Sequence, residues 1–172
     1  MKKIRFLTTA AAVAALYAAL TYAFSFMSYG GIQFRVAEIL TVLPFYSFAA
    51  VPGLAVGCFF ANLTSPFGLI DMIVGPIASL LAAILTRILP KRFAPLPAIV
   101  CNALIVGPEL TYVYHSPLWY NIATVAFGEV VVCLVGGYLF MAALDRVGKP
   151  LFGEDQFRGF GFSRKIKSEK AE

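Results

Sequence analysis

Seven residues whose side chains can do chemistry stand inside, or at the edge of, stretches otherwise free of charge: Arg35, Glu38, Asn62, Asp71, Asn102, Glu109 and Glu129. Near the middle of a lipid bilayer each ionised group costs at least a few kcal/mol unless it is paired, hydrated or neutralised. A set of four carboxylates against one guanidinium is suited to holding a ligand rich in hydrogen-bond donors, or to relaying a cation. Helices must bring these residues together, and the solvent around those helices has to be settled first.

The chain has 172 residues, 60% hydrophobic and only 13% charged, with a mean hydropathy of +0.82. An average soluble domain carries about 25% charged residues. A soluble core of this length cannot hide so much apolar surface, so the composition reads as an all-α integral membrane protein. At about 20 residues per crossing the length accommodates six helices and little else. Cys58, Cys101 and Cys133 lie singly in apolar runs, which suits small packing residues and implies neither a disulfide framework nor a metal site. The net charge of +5 forms no stripe of the kind that nucleic acid requires.

An uncharged run from Phe6 to Met27 follows Lys2, Lys3 and Arg5. It exceeds the apolar region of about 7–15 residues in a signal peptide and reads as a first membrane helix. Further runs cover about Val36–Ala50, Pro52–Thr64, Leu69–Leu89, Pro95–Tyr114 and Leu118–Leu144, which makes six spans. The second and third are short, so tilt, shielding by neighbours, or a partly unwound or re-entrant third segment is expected. Lys2, Lys3, Arg5, Arg87, Lys91, Arg92 and every basic residue from Arg146 onward fall on one face, with only Arg35 on the other. By the positive-inside rule this predicts a multi-pass protein of the cell membrane with both termini cytoplasmic. Tyr22, Tyr29, Tyr112, Tyr114, Trp119 and Tyr120 then form an outer aromatic belt. The transmembrane domain is read as residues 1–144, and 145–172 as a flexible, basic cytoplasmic tail in which Phe160 and Phe162 are candidate docking residues.

Depth brings the polar residues into one outer-half region: Arg35 and Glu38 start the second helix, Asn62 ends the third, Asp71 starts the fourth and Glu109 lies in the outer part of the fifth. Glu129 follows about 16 Å down the sixth, at 1.5 Å per residue. Asn102 and Glu109 share a face, with Tyr112 three residues beyond. On the fourth span Asp71, Gly75, Ala78 and Ala82 share a small-residue face that leaves room for a ligand or a close helix. Plainer roles compete: Arg35 pairing with Glu38, Asp71 favoured by the helix dipole, and Asn62 and Asn102 as interhelical hydrogen bonds. Lone His115 carries no reading.

In the first span, Ala10 and Ala14, and beside them Ala11 and Ala15, form small-xxx-small faces that let helix backbones approach. Such faces serve internal packing or a partner. Phosphate loops, metal-ligand clusters and nucleophile elbows are missing from the sequence, so an enzyme is not expected.

The run Gln33-Phe34-Arg35-Val36-Ala37-Glu38-Ile39-Leu40-Thr41-Val42-Leu43-Pro44-Phe45, with Ala49-Ala50-Val51-Pro52-Gly53-Leu54-Ala55-Val56-Gly57-Cys58 and Ala61-Asn62-Leu63, resembles the QueT family of queuosine-precursor transporters. The resemblance extends over roughly residues 5–144, through Gly68-Leu69-Ile70-Asp71 and Asn102-Ala103-Leu104-Ile105-Val106-Gly107-Pro108-Glu109. It implies a six-helix S component of an energy-coupling factor (ECF) transporter, which captures its small-molecule ligand from outside. Its partners would be a transmembrane T subunit and two ATPases, so that ATP is used by the partners and this chain carries no cofactor. The resemblance also implies that alanine motifs on the first helix dock the T subunit, the matching positions being Ala10/Ala14 and Ala11/Ala15.

For a 7-deazaguanine ligand, one carboxylate can accept the ring N–H and exocyclic amine together. Glu109 or Glu129 is expected in that role, with Glu38 or Asp71 meeting the ammonium of an aminomethyl precursor. Arg35 or Asn62 would donate to the carbonyl. The alternative from a different class is a stand-alone proton- or cation-coupled carrier that uses the same carboxylates as a relay.

Overall fold

The computed structural model describes residues 2–28 and 33–152, and every regular element among them is helical. The tail with Phe160 and Phe162, and Tyr29 of the aromatic belt, lie outside the described residues. Helix α1 is Lys2–Ala23 and α2 is the short Ser25–Ser28. A 3-10 stretch, Val36–Val42, leads into α3, Leu43–Tyr46. Helices α4 (Ala50–Asn62), α5 (Leu69–Ile88) and α6 (Leu96–Tyr114) follow. Then α7 (Leu118–Glu129) passes through a π-helical stretch, Val130–Gly136, into α8 (Gly137–Phe152). Four helical stretches are long and apolar enough to cross a membrane, Lys3–Ala23, Leu69–Ile88, Lys91–Tyr114 and Leu118–Val147, and two apolar helices, Val36–Tyr46 and Ala50–Asn62, are shorter.

The second segment departs from the regular helix expected for it, and unwinding falls there rather than in the third, which is the regular α4. Pro44 is the cause. Having no N–H, it cannot donate to the Leu40 carbonyl, and the Leu43 N–H takes that acceptor at i+3 spacing. Thr41 adds to this by turning its hydroxyl back onto the Glu38 carbonyl at 2.5 Å. Arg35, with φ −81° and ψ 87°, precedes the 3-10 stretch and is not part of a helix with Glu38.

Helices α1 and α4 run parallel in close approach. A Cβ on Gly53 would lie 2.7 Å from the Ala10 carbonyl oxygen, and one on Gly57 would lie 2.8 Å from that of Ala14. The Gly53-x-x-x-Gly57 face of α4 therefore receives Ala10, Val13, Ala14 and Tyr17 of α1. Because the obstruction is backbone, Gly57→Ala must part the helices. We expect a loss of about 1–3 kcal/mol, read as a lower unfolding temperature in detergent, whereas an unchanged temperature would contradict this packing. Tyr17, Tyr46 and Leu54 are fully enclosed in the main core cluster.

The ends of the bundle are fixed by polar contacts. Arg87 Nη1 donates to the carbonyls of Pro44 (3.2 Å) and Phe45 (3.0 Å). Lys91 pairs with Asp145, and the Tyr46 hydroxyl donates to Asp145 at 3.0 Å, binding α3 and α8 to the α5–α6 connection. At the opposite end the turn Ser65-Pro66-Phe67-Gly68 closes with Gly68 at φ 70° and ψ −145°, a conformation that suits only glycine, and this launches α5 beside α4. Buried Asn121 donates to Thr111 and Ser116 across the α6–α7 connection.

Candidate ligand site

The end of α4 and the start of α5 form one arm of the site. Gly75 of α5 sits where a Cβ would collide with the Asn62 amide, so at that level the buried face of Asp71, Gly75, Ala78 and Ala82 admits α4 rather than leaving open room, while Ala78 and Ala82 cluster with residues of α6. Asn62 Nδ2 donates to the Asp71 backbone oxygen at 2.8 Å and to Oδ1 at 3.0 Å. That contact engages the Asn62 amide within the protein. Asp71 is buried, which is incompatible with a solvated carboxylate answering only the helix dipole. Its Oδ2 lies 3.7 Å from Arg35 Nη2.

Glu38 is held from α1. The hydroxyl of Tyr17, fully buried, donates to Glu38 Oε1 at 2.5 Å, while Glu38 Oε2 is buried without a hydrogen-bond partner among the described residues. Arg35 also lies within electrostatic range of Glu38, so their pairing widens into an arrangement in which Arg35 meets Asp71 and Glu38 meets Tyr17.

On the other side, Asn102 of α6 donates to Glu129 Oε1 at 2.7 Å, and the Cys133 thiol donates to Oε2 at 3.1 Å. Cys133 stands in the π-helical stretch that begins directly after Glu129, and its sulfur also lies 3.7 Å from the Glu38 backbone oxygen. Wide turns of this kind re-aim side chains and are frequent at functional sites.

Glu109 differs from the other acids. It is 5% exposed, follows Gly107-Pro108 in α6, and has neither carboxylate oxygen hydrogen-bonded among the described residues. Arg35 and Asp71 are within electrostatic range of it. Tyr112, three residues on, does not join this face; it is 72% exposed and belongs with the exposed Tyr22, Tyr114, Trp119 and Tyr120.

The structure thus gathers all seven polar residues picked out in the sequence into buried positions, in linked sets around Arg35. It adds Tyr17, Thr41, Cys133 and Gln33, which sequence reasoning passed over; Gln33 is 5% exposed and its Nε2 lacks a hydrogen-bond partner among the described residues. No group of three or more metal-ligating side chains occurs among the described residues. The arrangement offers many acceptors and few donors, and can receive a ligand that presents several N–H groups.

Of the α1 alanines, Ala14 is buried and Ala10 lies against Gly53, whereas Ala11 and Ala15 are exposed. The two faces, indistinguishable by spacing, therefore have different surroundings.

Residues 7–146 match a family model described as QueT transporter. The Queuosine precursor transporter QueT of Lactococcus lactis subsp. cremoris (strain MG1363) is 31% identical over 160 residues, an alignment covering 83% of this chain and 92% of that protein. No solved structure matches the chain.

Proposed function

The chain belongs to the QueT transporter family, and on that premise we propose that it is the substrate-binding S component of an ECF transporter, capturing a 7-deazaguanine queuosine precursor from outside for uptake driven by ATP in partner subunits. It is a membrane transport protein and not an enzyme. Six segments cross the membrane in this reading, with both termini cytoplasmic. Lys3, Arg5, Arg87, Lys91, Arg92 and Arg146 at one end of the helices, and the exposed aromatic residues at the other, support that orientation.

The observation that carries the reading is Glu109. A buried carboxylate with both oxygens unpartnered is expensive, and a ligand that supplies two N–H groups removes the cost. A guanine-type edge presents its ring N–H and exocyclic amine side by side, matching those two oxygens. Glu129 is already occupied by Asn102 and Cys133, so Glu109 takes the base edge. Glu38 Oε2 meets an ammonium group on the ligand, while Asp71 Oδ2 faces Arg35. The exposed Ala11/Ala15 face of α1 docks the T subunit, because Ala10 and Ala14 are committed to α4.

Calorimetry of the purified protein against 7-deazaguanine bases, guanine, riboflavin and thiamine tests the ligand. Selective binding of a deazaguanine is expected; retention of a vitamin would overturn the ligand assignment, and uptake by liposomes that contain this chain alone would overturn the S-component role.

A further inference from the structure

The segment just before the 3-10 stretch carries a neutral donor beside the charged Arg35. Residues 33–35 have no helical hydrogen bonding, and the Phe34 N–H returns to the Met27 carbonyl at 3.0 Å, closing the connection from α2. Where burial alternates along non-helical backbone, side chains two apart face the same side. The burial pattern agrees: Gln33 and Arg35 are each 5% exposed, while Phe34 between them is only half-buried and sets its ring edge-on to exposed Phe127 of α7, 6.3 Å between centroids. Phe34 thus turns outward, and Gln33 shares the inward side on which Arg35 reaches Asp71. The position is fixed tightly, since the Gln33 carbonyl oxygen occupies the space a side chain on Gly128 would need, one residue before Glu129.

Buried donors without partners are costly and rare. Gln33 Nε2 is the one neutral side-chain nitrogen in that condition among the described residues; the amides of Asn62 and Asn102 are given to Asp71 and Glu129. A guanine-type edge reads carbonyl, ring N–H, amine in sequence, so an acceptor adjoins the two donors assigned to Glu109. We propose that Gln33 is a specificity-determining residue of the site, its amide donating to the ring carbonyl of the base. The proposal rests on the 7-deazaguanine reading above and extends it to the neighbouring atom.

The test crosses one protein change with one ligand change. Binding of 7-deazaguanine and of 6-thio-7-deazaguanine, which keeps the ring N–H and the amine but presents a much weaker acceptor in place of the carbonyl oxygen, is measured calorimetrically for the natural protein and for Gln33→Met. Gln33→Glu, which keeps the size and cannot donate when ionised, is the second variant should Gln33→Met fail to fold. The change is expected to weaken 7-deazaguanine binding roughly 10- to 100-fold by leaving its carbonyl unpaired, and to alter binding of the thio base less than threefold. Equal losses on both bases would overturn the role of Gln33 while leaving the deazaguanine reading intact. If the natural protein bound neither base, both readings would fall together.

Discussion

Glu109→Gln is expected to lower affinity for the 7-deazaguanine ligand roughly 100-fold, about 3 kcal/mol for losing a bidentate, charge-assisted contact. The same change should leave the empty protein at least as stable as before. Glu109 has no hydrogen-bond partner among the described residues, so the carboxylate makes no such bond for an amide to break. An amide of the same shape escapes the cost of a buried unpaired charge. This opposition, weaker binding with undiminished unfolding temperature, separates a ligand-facing acid from a structural one. Glu129→Gln provides the contrast: it disturbs the contacts with Asn102 and Cys133, so its loss of binding should come with a loss of stability. Unaltered affinity in Glu109→Gln would remove Glu109 from the site, and with it the observation on which the ligand assignment stands.

Much of this was legible in the sequence because lipid makes polar residues conspicuous. Arg35, Glu38, Asn62, Asp71, Asn102, Glu109 and Glu129 were found by their charge or amide in apolar surroundings, and all seven are buried. The shortness of the two segments before Ser65 was also plain from their length. What stayed hidden depends on pairing between distant elements. Tyr17 reads as one more aromatic residue in an apolar helix until the short second segment places Glu38 beside its hydroxyl. Cys133 has a role against Glu129 only through the π-helical stretch, which no periodicity announces. The 3-10 geometry of Val36–Val42 had a signal in Pro44, whose missing N–H acts four residues upstream. The inward alanine face had one too, in the Gly53-x-x-x-Gly57 pair of α4 that receives it.

That division of α1 leads to the second large effect. Ala15→Trp should leave ligand affinity unchanged and reduce ATP-driven uptake at least roughly tenfold, since a bulky ring on a small-residue face prevents close approach of a partner helix. Ala14→Leu should do something different. Ala14 lies beneath Gly57, where there is no space for added atoms, so the expected result is a destabilisation of about 1–3 kcal/mol, seen before any transport is measured. Tyr17, three residues beyond Ala14, joins the inner face to the site through Glu38. One helix therefore carries the proposed docking surface on its exposed side and a direct hydrogen bond to the binding residues on its buried side. A shift of α1 on docking would move the Tyr17 hydroxyl relative to Glu38, which is a physical route from partner contact to ligand release. Normal uptake by Ala15→Trp in liposomes containing the T subunit and both ATPases would exclude this face as the docking surface.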